Sequence, residues 1–579
     1  MQAVGKLINY LKPYKAFAII APLMMLFEVS MDLIQPTILQ MIIDNGIAEN
    51  DTPYIIRMFG TMIGAAVLGL IGGVGCSIYA SRAAVNFATD VRHDLYKTIM
   101  YFSTSSKDKF TLGKLITNLT SDIEMLQRAL TMLLKVFVRG PMMFIGAVVM
   151  VWFTARELFS ILLVVIPILA FCVYFFTMLS GKLFHKVQKV VDQVNTKVQE
   201  NLAGIRVIKA YNRKQHQIDQ FTDVNTQLMK RNITADQIVG ILAPISMFVI
   251  NLGIVAALWI GAIKVEGGTL EIGVILAFTN YLMMVMNGLM SSSMVLVQLA
   301  RAIPSAERIV TVLEEQTDIV SPKHAAEHSI RGDITFENVS FSYIKGAEPV
   351  LKHVSFSAKA GETVGIIGMT GNGKSTLVKM IPRLFDPDEG VIKIDGIPLQ
   401  QYDLQQLRES IGFAPQKATL FSKTIAENIR YGDEDATEKQ IAESLLAACA
   451  MEFVEKLPAW TEHQLTQGAT NLSGGQKQRL AMARSFVRKP PILVLDDVTS
   501  AVDSISEKKI QQAIKIQFAA STKLVVSSKI SSIRDADLIL VMDDGRIAAA
   551  GTHEQLLKTS NLYQEIAATQ AEKGGTLSE

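Results

Sequence analysis

A glycine-rich stretch in the second half of the chain has residue types that suit a polyphosphate. Its spacing is G-x-x-x-x-G-K-[ST], and it comprises Gly368, Met369, Thr370, Gly371, Asn372, Gly373, Lys374 and Ser375, with Thr376 directly after it. The glycines allow the backbone to curl, so that consecutive N–H groups point at one anion. Lys374 adds a full positive charge, and the Ser375 hydroxyl is a suitable Mg²⁺ ligand. These residues predict a loop that binds the phosphates of a nucleotide.

The residues on either side give this loop the setting that it needs. The apolar run 363–367 predicts a buried strand, and residues 377–381 predict a helix. The loop would then lie at a helix N-terminus, where the helix dipole adds partial positive charge. The alternative is a glycine-rich turn that binds nothing, and the flanking elements argue against it.

Two adjacent carboxylates provide a second group that could do chemistry. Asp496 and Asp497 follow the apolar run 492–495, which predicts a buried strand. A strand that ends in carboxylates beside a phosphate loop is the arrangement that holds Mg²⁺. Gln416 follows another predicted strand and could contact the same ion or a water molecule. We therefore expect Ser375 and Asp496 to be Mg²⁺ ligands, with Gln416, which is uninformative by itself, as a third candidate.

Three further features lie in the same half of the chain. The sequence L-S-G-G-Q comes at a predicted helix start, where a hydroxyl and two glycines would form an anion site; the site residues are Ser473, Gly474, Gly475 and Gln476. Tyr343 could stack on adenine, or it could be a half-buried aromatic residue of a strand. Asp503 closes the run S-A-V-D just after the carboxylate pair.

The first half of the chain is apolar enough to cross a membrane repeatedly. Apolar residues make up 49% of the sequence and charged residues 19%, and most of the apolar residues precede Pro304. Runs long enough to cross a bilayer lie near residues 16–36, 58–80, 137–155, 158–179, 238–263 and 272–296. Residues 1–15 predict a short amphipathic segment on the membrane surface.

Basic residues indicate how these spans are oriented. They are concentrated in the two long loops after spans two and four, whereas the other loops hold only Arg57, Arg156 and Lys264. The positive-inside rule then places both long loops, both termini and the phosphate loop in the cytoplasm. The long loops keep a helical period, and residues 182–235 predict a hairpin about 35–40 Å tall at about 1.5 Å per residue.

The remaining bulk features exclude other classes of protein. The net charge of +2 gives no overall field that favours nucleic acid as a partner. The cysteines, Cys76, Cys172 and Cys449, are too few and too widely spaced for a disulfide framework or a metal site.

The order of these motifs along the chain resembles the ATP-binding cassette of ABC transporters. The order is Tyr343, the phosphate loop, Gln416, L-S-G-G-Q, the carboxylate pair and S-A-V-D. Six spans ahead of one cassette resemble the exporter half-transporters, which include bacterial multidrug exporters and lipid flippases. Residues 110–115 and 200–211 look like that family's two cytoplasmic loop signatures. In this family the loop tips, near 111–117 and 211–215, dock on the nucleotide domains.

The resemblance implies a fold, cofactors and partners. It implies an all-α transmembrane domain of six helices with long cytoplasmic extensions over residues 1–313, a linker over 314–332, an α/β P-loop nucleotide-binding domain over 333–570, and a flexible tail over 571–579. The cofactors would be ATP and Mg²⁺, in a multi-pass protein of the bacterial inner or plasma membrane. A second half-transporter would be the partner, because each ATP is held between one chain's phosphate loop and the other chain's L-S-G-G-Q.

Three positions depart from the family pattern. Asp497 stands where the family has the glutamate that orients the attacking water, Ser528 where it has a histidine, and Gln467 where it has a glutamate before L-S-G-G-Q. Aspartate is one methylene shorter, and a misplacement of about 1 Å can cost ~10²-fold in rate. The resemblance therefore implies a site that binds ATP and hydrolyses it poorly.

These departures leave three readings open. The first is the degenerate-site subunit of a heterodimeric multidrug exporter, in which Asp497 and Ser528 are weak catalytic positions and L-S-G-G-Q completes the partner's competent site. The second is a slow, symmetric homodimer that exports lipid or peptide. The third is a membrane protein that binds ATP to gate and not to pump.

Ionisable and amide residues within the spans give a hypothesis about the substrate. Glu28 and Asp32 lie four residues apart, hence on one face of the first span, and intramembrane carboxylates are functional candidates. Asn280 and Asn287 accompany several methionines in the sixth span, where flexible thioethers suit either a promiscuous cavity or ordinary packing. The hypothesis is a small amphipathic substrate, with a cationic one as the sharper version.

Overall fold

The computed structural model describes residues 2–315, 317–322, 324–325, 328–344, 346–500 and 502–575. The chain divides into two compact units, one formed by residues 1–100 and 111–315 and the other by residues 101–110 and 316–579. Within the described residues, six helical segments of the first unit are long and apolar enough to cross a membrane; they are Ala3–Ile47, Thr52–Met100, Leu112–Thr154, Arg156–Ala203, Lys214–Glu266 and Ile272–Ser292. Six spans were predicted, and this prediction is confirmed.

The first unit is all-α. Its helices are α1 (Gln2–Ile8), α2 (Lys15–Met41), α3 (Thr52–Met100), α5 (Leu112–Thr117), α6 (Ile123–Thr154), α7 (Phe159–Ala203), α8 (Ile205–Ala210), α9 (Lys214–Glu266) and α10 (Ile272–Leu313); α4 (Thr104–Lys109) belongs to the second unit. Helices α7 and α9 continue far past their apolar segments and are joined through the short helix α8. The predicted helical hairpin over 182–235 is therefore present.

Close packing in this unit depends on small residues. A Cβ atom added at Gly72 of α3 would lie 3.0 Å from both the Glu28 backbone nitrogen and the Met24 carbonyl oxygen of α2. Small residues let the helix backbones approach closely. This matters in a membrane because the hydrophobic effect does not drive helices together in lipid, so that close packing must hold them. A separate apolar cluster joins α6, α7, α9 and α10; its largest fully buried residues are Leu158, Leu162, Leu169, Ile250, Phe278 and Tyr281.

The second unit contains two sheets. The larger sheet has the strand order β10-β9-β3-β8-β7-β6, in which β9, β3, β8, β7 and β6 are parallel and β10 is antiparallel to β9. The smaller sheet has the order β2-β1-β4-β5 and is antiparallel. The strands are β1 (Ile334–Phe341), β2 (Leu351–Ala358), β3 (Thr363–Gly368), β4 (Glu389–Ile394), β5 (Ile397–Pro398), β6 (Ile411–Ala414), β7 (Ile492–Asp496), β8 (Thr522–Val526), β9 (Leu538–Asp543) and β10 (Arg546–Gly551).

The register of the larger sheet aligns the ends of three strands. Val526 at the end of β8 pairs with Ile366 of β3 on one side and with Asp496 of β7 on the other. Side chains that follow these strands therefore meet at one edge, where ligands bind in open parallel sheets. The predicted strands 363–367 and 492–495 are confirmed, as is the α/β class of this unit.

Helices cover the sheets of the second unit. They are α11 (Lys374–Met380), α12 (Leu404–Glu409), α13 (Ile425–Arg430), α14 (Glu438–Ala447), α15 (Met451–Val454), α16 (Gly474–Phe486), α17 (Ser504–Gln517), α18 (His553–Thr559) and α19 (Asn561–Gly575). The flexible tail predicted over 571–579 begins within α19, so the helix extends further than expected. Residues 576–579 lie outside the described residues.

Replacing Gly72 by valine should destabilise the first unit, because the added side chain would press on the α2 backbone. Overpacking of this kind costs about 1–3 kcal/mol, so we expect a lower thermal melting temperature and a lower yield of folded protein in detergent. Gly64→Val is the matched control on the same helix, because a Cβ at Gly64 meets no atom within 4 Å. Equal melting temperatures for the two variants would contradict this packing.

Candidate functional site

The phosphate loop has a backbone that only glycine adopts readily. It leaves β3 at Gly368 and enters α11 at Lys374, and the φ angles of Gly371 and Gly373 are +94° and +85°. A Cβ at Gly373 would lie 2.8 Å from the Val350 carbonyl oxygen. Glycine is thus required at position 373 by conformation and by space, and the strand–loop–helix arrangement is as predicted.

Lys374 lies over its own loop. Its Nζ donates hydrogen bonds to the carbonyl oxygens of Gly368, at 2.8 Å, and Met369, at 2.7 Å. Burial lowers the pKa of Lys374, and the nearby carboxylates of Asp497 and Asp496 oppose that shift. The ammonium is therefore held where the loop curls, within reach of an anion in the loop.

Other predicted residues of the loop brace it against neighbouring elements. The Asn372 side chain donates to the Met542 carbonyl oxygen at 3.0 Å. Thr376 is buried, and its hydroxyl shares a hydrogen bond of 2.9 Å with the Tyr343 hydroxyl. Tyr343 is 45% exposed, and it lies beyond the end of β1 and not within the strand. Its ring makes an edge contact with Phe385, so it is placed beside the loop by packing and by this hydrogen bond.

The predicted Mg²⁺ ligands include a buried hydroxyl–carboxylate pair. The Ser375 hydroxyl donates to Asp496 Oδ1 at 2.7 Å, and Asp496 is 1% exposed. Burial raises the pKa of Asp496, while the Ser375 hydrogen bond and the Lys379 charge oppose the rise. A buried carboxylate next to a hydroxyl oxygen fits Mg²⁺, because hard oxygen donors suit this ion and its charge would stabilise the ionised carboxylate.

Gln416 and Asp497 are brought together at the same strand ends. Gln416 Nε2 donates to Asp497 Oδ2 at 3.1 Å. Asp497 has a left-handed backbone, with φ of +51°, and its N–H donates to the Val526 carbonyl oxygen at 3.0 Å. A non-glycine residue in this region is unusual and is held there by its surroundings. The aspartate carboxylate is therefore directed at Gln416.

The L-S-G-G-Q sequence begins a helix, as predicted. Ser473 is the N-cap of α16 and forms a capping box with Gln476, with contacts of 3.3 Å and 2.8 Å. Ser473 and Gly474 are exposed, so this helix start is open on its outer side. Gln467 begins a short 3-10 turn ahead of it.

Asp503 serves as the N-cap of α17. It accepts a hydrogen bond of 2.9 Å from the Ser506 backbone N–H, and this contact lowers the pKa of Asp503. The residue thus orders the segment that follows the carboxylate pair, because the cap fixes where α17 begins.

Sequence reasoning missed two residues that hold the segment around Ser528. Ser528 is exposed just after β8, and its carbonyl oxygen accepts a hydrogen bond of 2.8 Å from Gln570 of α19. The buried carboxylate of Glu507 accepts from Lys529 at 3.1 Å. Local sequence pattern gives no signal for either contact, because 42 and 22 residues separate the partners.

A second site lies in the first unit. Glu28 and Asp32 both face Arg139, whose guanidinium lies 2.9 Å from Glu28 and 3.2 Å from Asp32. They line a cleft of about 490 Å³ between α2, α3 and α6, together with Met25, Gln35, Ala66, Gly69, Leu70, Gly73, Val74, Ser77, Lys135 and Arg139. Gly73 makes room for the Glu28 carboxylate, because a Cβ there would lie 2.8 Å from Glu28 Oε2.

This cleft contains some of the predicted substrate residues and not others. Asn280 and Asn287 are exposed on α10 and are not among the described residues that line it; Asn280 donates to its own helix at Leu276, at 2.9 Å. Sequence reasoning missed Arg139, although an arginine within a predicted span is itself a functional signal. The carboxylates are therefore ion-paired.

Known proteins resemble this chain over nearly its whole length. The family described as the ABC transporter transmembrane region matches residues 18–290, and the family described as ABC transporter matches residues 351–500. The ABC transporter ATP-binding protein YfiB of Bacillus subtilis (strain 168) is 39% identical over 571 residues, which cover 99% of each chain.

Two further proteins, a flippase and a solved exporter, match this chain over both its membrane and its nucleotide-binding halves. The ATP-dependent lipid A-core flippase of Pseudoalteromonas translucida (strain TAC 125) is 29% identical over 578 residues, covering 98% of this chain and 97% of the flippase. A solved bacterial Atm1-family ABC exporter with ATP bound has the same fold, with a TM-score of 0.75, 23% identity and 98% of each chain covered. With six membrane-spanning helices and one ATP-binding domain, the chain belongs to the ABC transporter family as a half-transporter.

Proposed function

We propose that this chain is one half of a heterodimeric ABC exporter that uses ATP to move small amphipathic molecules out of a bacterial cell. Its own site binds ATP and hydrolyses it poorly, and its L-S-G-G-Q helix completes a competent site on the partner. The observation that carries this proposal is the combination of an ordered phosphate loop with Asp497 and Ser528 at the two positions that support hydrolysis.

Binding and hydrolysis depend on different residues of this site. The loop amides, Lys374 and Thr376 would bind the phosphates, with Tyr343 beside the base, and the complete loop set is Gly368, Met369, Thr370, Gly371, Asn372, Gly373, Lys374, Ser375 and Thr376. Ser375, Gln416 and Asp496 would hold Mg²⁺, which supplies positive charge to the phosphates when bound. All of these residue types are retained.

Hydrolysis needs a group that orients and deprotonates the attacking water. The Asp497 carboxylate is one methylene shorter than that of glutamate, and its Oδ2 already accepts from Gln416 at 3.1 Å. Ser528 has a hydroxyl but no imidazole N–H to offer a phosphate. A base that is misplaced by about 1 Å can slow a reaction by ~10²-fold, which is why we assign slow hydrolysis to this site.

The partner and the location follow from the same assignment. Ser473, Gly474, Gly475 and Gln476 would contact the partner's ATP across the interface, with Asp503 nearby. We further propose an inner or plasma membrane location with both termini cytoplasmic, supported by the basic loops. The functional division remains residues 1–313 for transport, 314–332 as linker and 333–570 for the cassette.

The cleft beside Arg139 is the proposed substrate contact. Because Glu28 and Asp32 are paired with Arg139, a cation must displace the guanidinium from at least one carboxylate in order to bind there. The apolar lining residues, such as Met25, Leu70 and Val74, would contact the rest of an amphipathic molecule.

A homodimeric exporter of lipid or peptide is the second candidate. Similarity over the whole chain to a lipid A-core flippase, at 29% identity, favours a lipid as its substrate. The two candidates differ in the number of chain types in the active particle and in whether the isolated chain turns over ATP.

Restoring the family residues should restore hydrolysis. The purified chain alone should show very low ATPase activity, and the double change Asp497→Glu with Ser528→His should raise it by about 10- to 100-fold, because the base regains its reach and the imidazole returns. Release of inorganic phosphate from Mg-ATP measures this. Adding Lys374→Ala to the double variant is the control and should abolish the gain. Rapid turnover by the unmodified chain alone would contradict the heterodimer.

Changes in the cleft should alter export of a cationic dye in opposite directions. Glu28→Gln removes a carboxylate and should slow export by severalfold, whereas Arg139→Gln frees both carboxylates and should speed it. Dye efflux from vesicles that contain the assembled exporter measures both rates. Glu157→Gln is the matched control, because Glu157 pairs with Lys264 at 2.7 Å outside the cleft. Unchanged efflux with Glu28→Gln would remove Glu28 from the substrate site.

A further inference from the structure

The segment that contains Ser528 is hydrogen-bonded to the last helix, α19. We call residues 527–532 the switch loop. Gln570 of α19 donates from Nε2 to the Ser528 carbonyl oxygen at 2.8 Å, and its Oε1 accepts from the Ile530 backbone N–H at 2.9 Å. One amide thus uses its donor and its acceptor on backbone groups two residues apart. This pair of contacts fixes the amide orientation, because the opposite orientation would satisfy neither.

A buried carboxylate holds the same loop from a second direction. Glu507 of α17 is 5% exposed and accepts hydrogen bonds from Lys529, at 3.1 Å, and from the Ser532 hydroxyl. It also accepts from the Thr499 hydroxyl at 3.2 Å, two residues after Asp497. A buried carboxylate without such partners would be costly to the fold. The switch loop is therefore connected to the segment that follows the carboxylate pair.

The start of the switch loop is fixed by the central sheet. The Ser527 N–H donates to the Ile366 carbonyl oxygen of β3 at 3.1 Å, and the preceding residue, Val526, accepts from the Asp497 N–H at 3.0 Å. The loop therefore leaves the sheet between the strand of the phosphate loop and Asp497. Beyond the sheet the loop makes its own turn hydrogen bonds and is bound by the side chains of Glu507, Gln511 and Gln570, of which Gln570 supplies two hydrogen bonds.

Helix α19 is anchored in the apolar core through Tyr563. Tyr563 is fully buried, and its hydroxyl lies 2.7 Å from His553 Nδ1. Tyr563 also packs in one apolar cluster with Ile530 and Ile533, so the helix and the end of the switch loop share a core. A change at Gln570 would therefore act on the loop without removing that core.

We propose that Gln570 is a positioning residue of the nucleotide site, which makes α19 part of the ATP-binding machinery. It holds the Ser528 carbonyl and the Ile530 N–H so that the switch loop keeps its place beside β3, the strand that leads into the phosphate loop, and this support slows the release of ATP. The proposal rests on the proposed ATP site and adds a residue far from every sequence motif. Without the Gln570 amide, the switch loop loses two hydrogen bonds and ATP dissociates faster.

The test compares variants of α19 in the assembled transporter loaded with Mg-ATP. Gln570→Ala removes both hydrogen bonds, and Gln570→Glu keeps an acceptor for Ile530 but has no donor for Ser528. Gln564→Ala is the matched control, because the Gln564 amide donates to the Leu557 carbonyl oxygen at 2.7 Å, away from the switch loop. The measurements are ATP dissociation, hydrogen exchange over residues 525–533, and melting temperature.

We expect both Gln570 variants to speed ATP dissociation by about five- to tenfold, the effect of one or two lost hydrogen bonds. Hydrogen exchange over 525–533 should rise while the melting temperature stays close to that of Gln564→Ala.

Dissociation and exchange rates in Gln570→Ala that stay within twofold of those of the natural protein would overturn the proposal, as would an equal effect of Gln564→Ala. An unchanged dissociation rate in Gln570→Glu would contradict the role assigned to the hydrogen bond from Gln570 to the Ser528 carbonyl. Failure of the natural complex to bind Mg-ATP would reject the proposed ATP site as well, which distinguishes the two failures.

Discussion

The parallel register of β3, β8 and β7 is the constraint on which the nucleotide-binding unit depends. The hydrogen bond between Ser375 and Asp496 forms because of this register. The two residues are 121 positions apart in sequence, and only the alignment of neighbouring strand ends brings them within 2.7 Å. The same alignment places Asp497 beside Gln416 and starts the switch loop between β3 and Asp497. Each of these contacts would be lost if one strand shifted by a residue.

In the function that we propose, this arrangement separates the holding of nucleotide from its hydrolysis. The loop glycines, Lys374 and Ser375 are positioned by β3 and α11, which are buried and regular. Asp497 has a left-handed backbone after β7, where the length of the side chain decides how far its carboxylate reaches. A substitution at this position can therefore reduce hydrolysis while ATP binding is kept, and a second, different chain would then supply the competent site.

Local patterns in the sequence were enough for the spans, the phosphate loop, and the strand and helix on either side of it. They rest on apolar periodicity and on residue types that leave few alternatives, such as glycine at position 373, where a side chain would meet Val350. The contacts of Arg139, Glu507 and Gln570 could not be predicted in this way, because each joins segments that are distant in sequence. Arg139 shows the difference most clearly, since its position within a span was visible but its partners, Glu28 and Asp32, were not.

The most direct test of the central claim is to determine what each nucleotide site of the assembled transporter contains after one round of turnover with ATP and Mg²⁺. A structure of the particle at this stage, combined with chromatography of the released nucleotide, gives both the chains present and the nucleotide at each site. We predict two different chains, with ATP kept on Lys374 and Ser375 of this chain and ADP at the partner's phosphate loop. Two copies of this chain that hydrolyse both nucleotides equally would contradict the account.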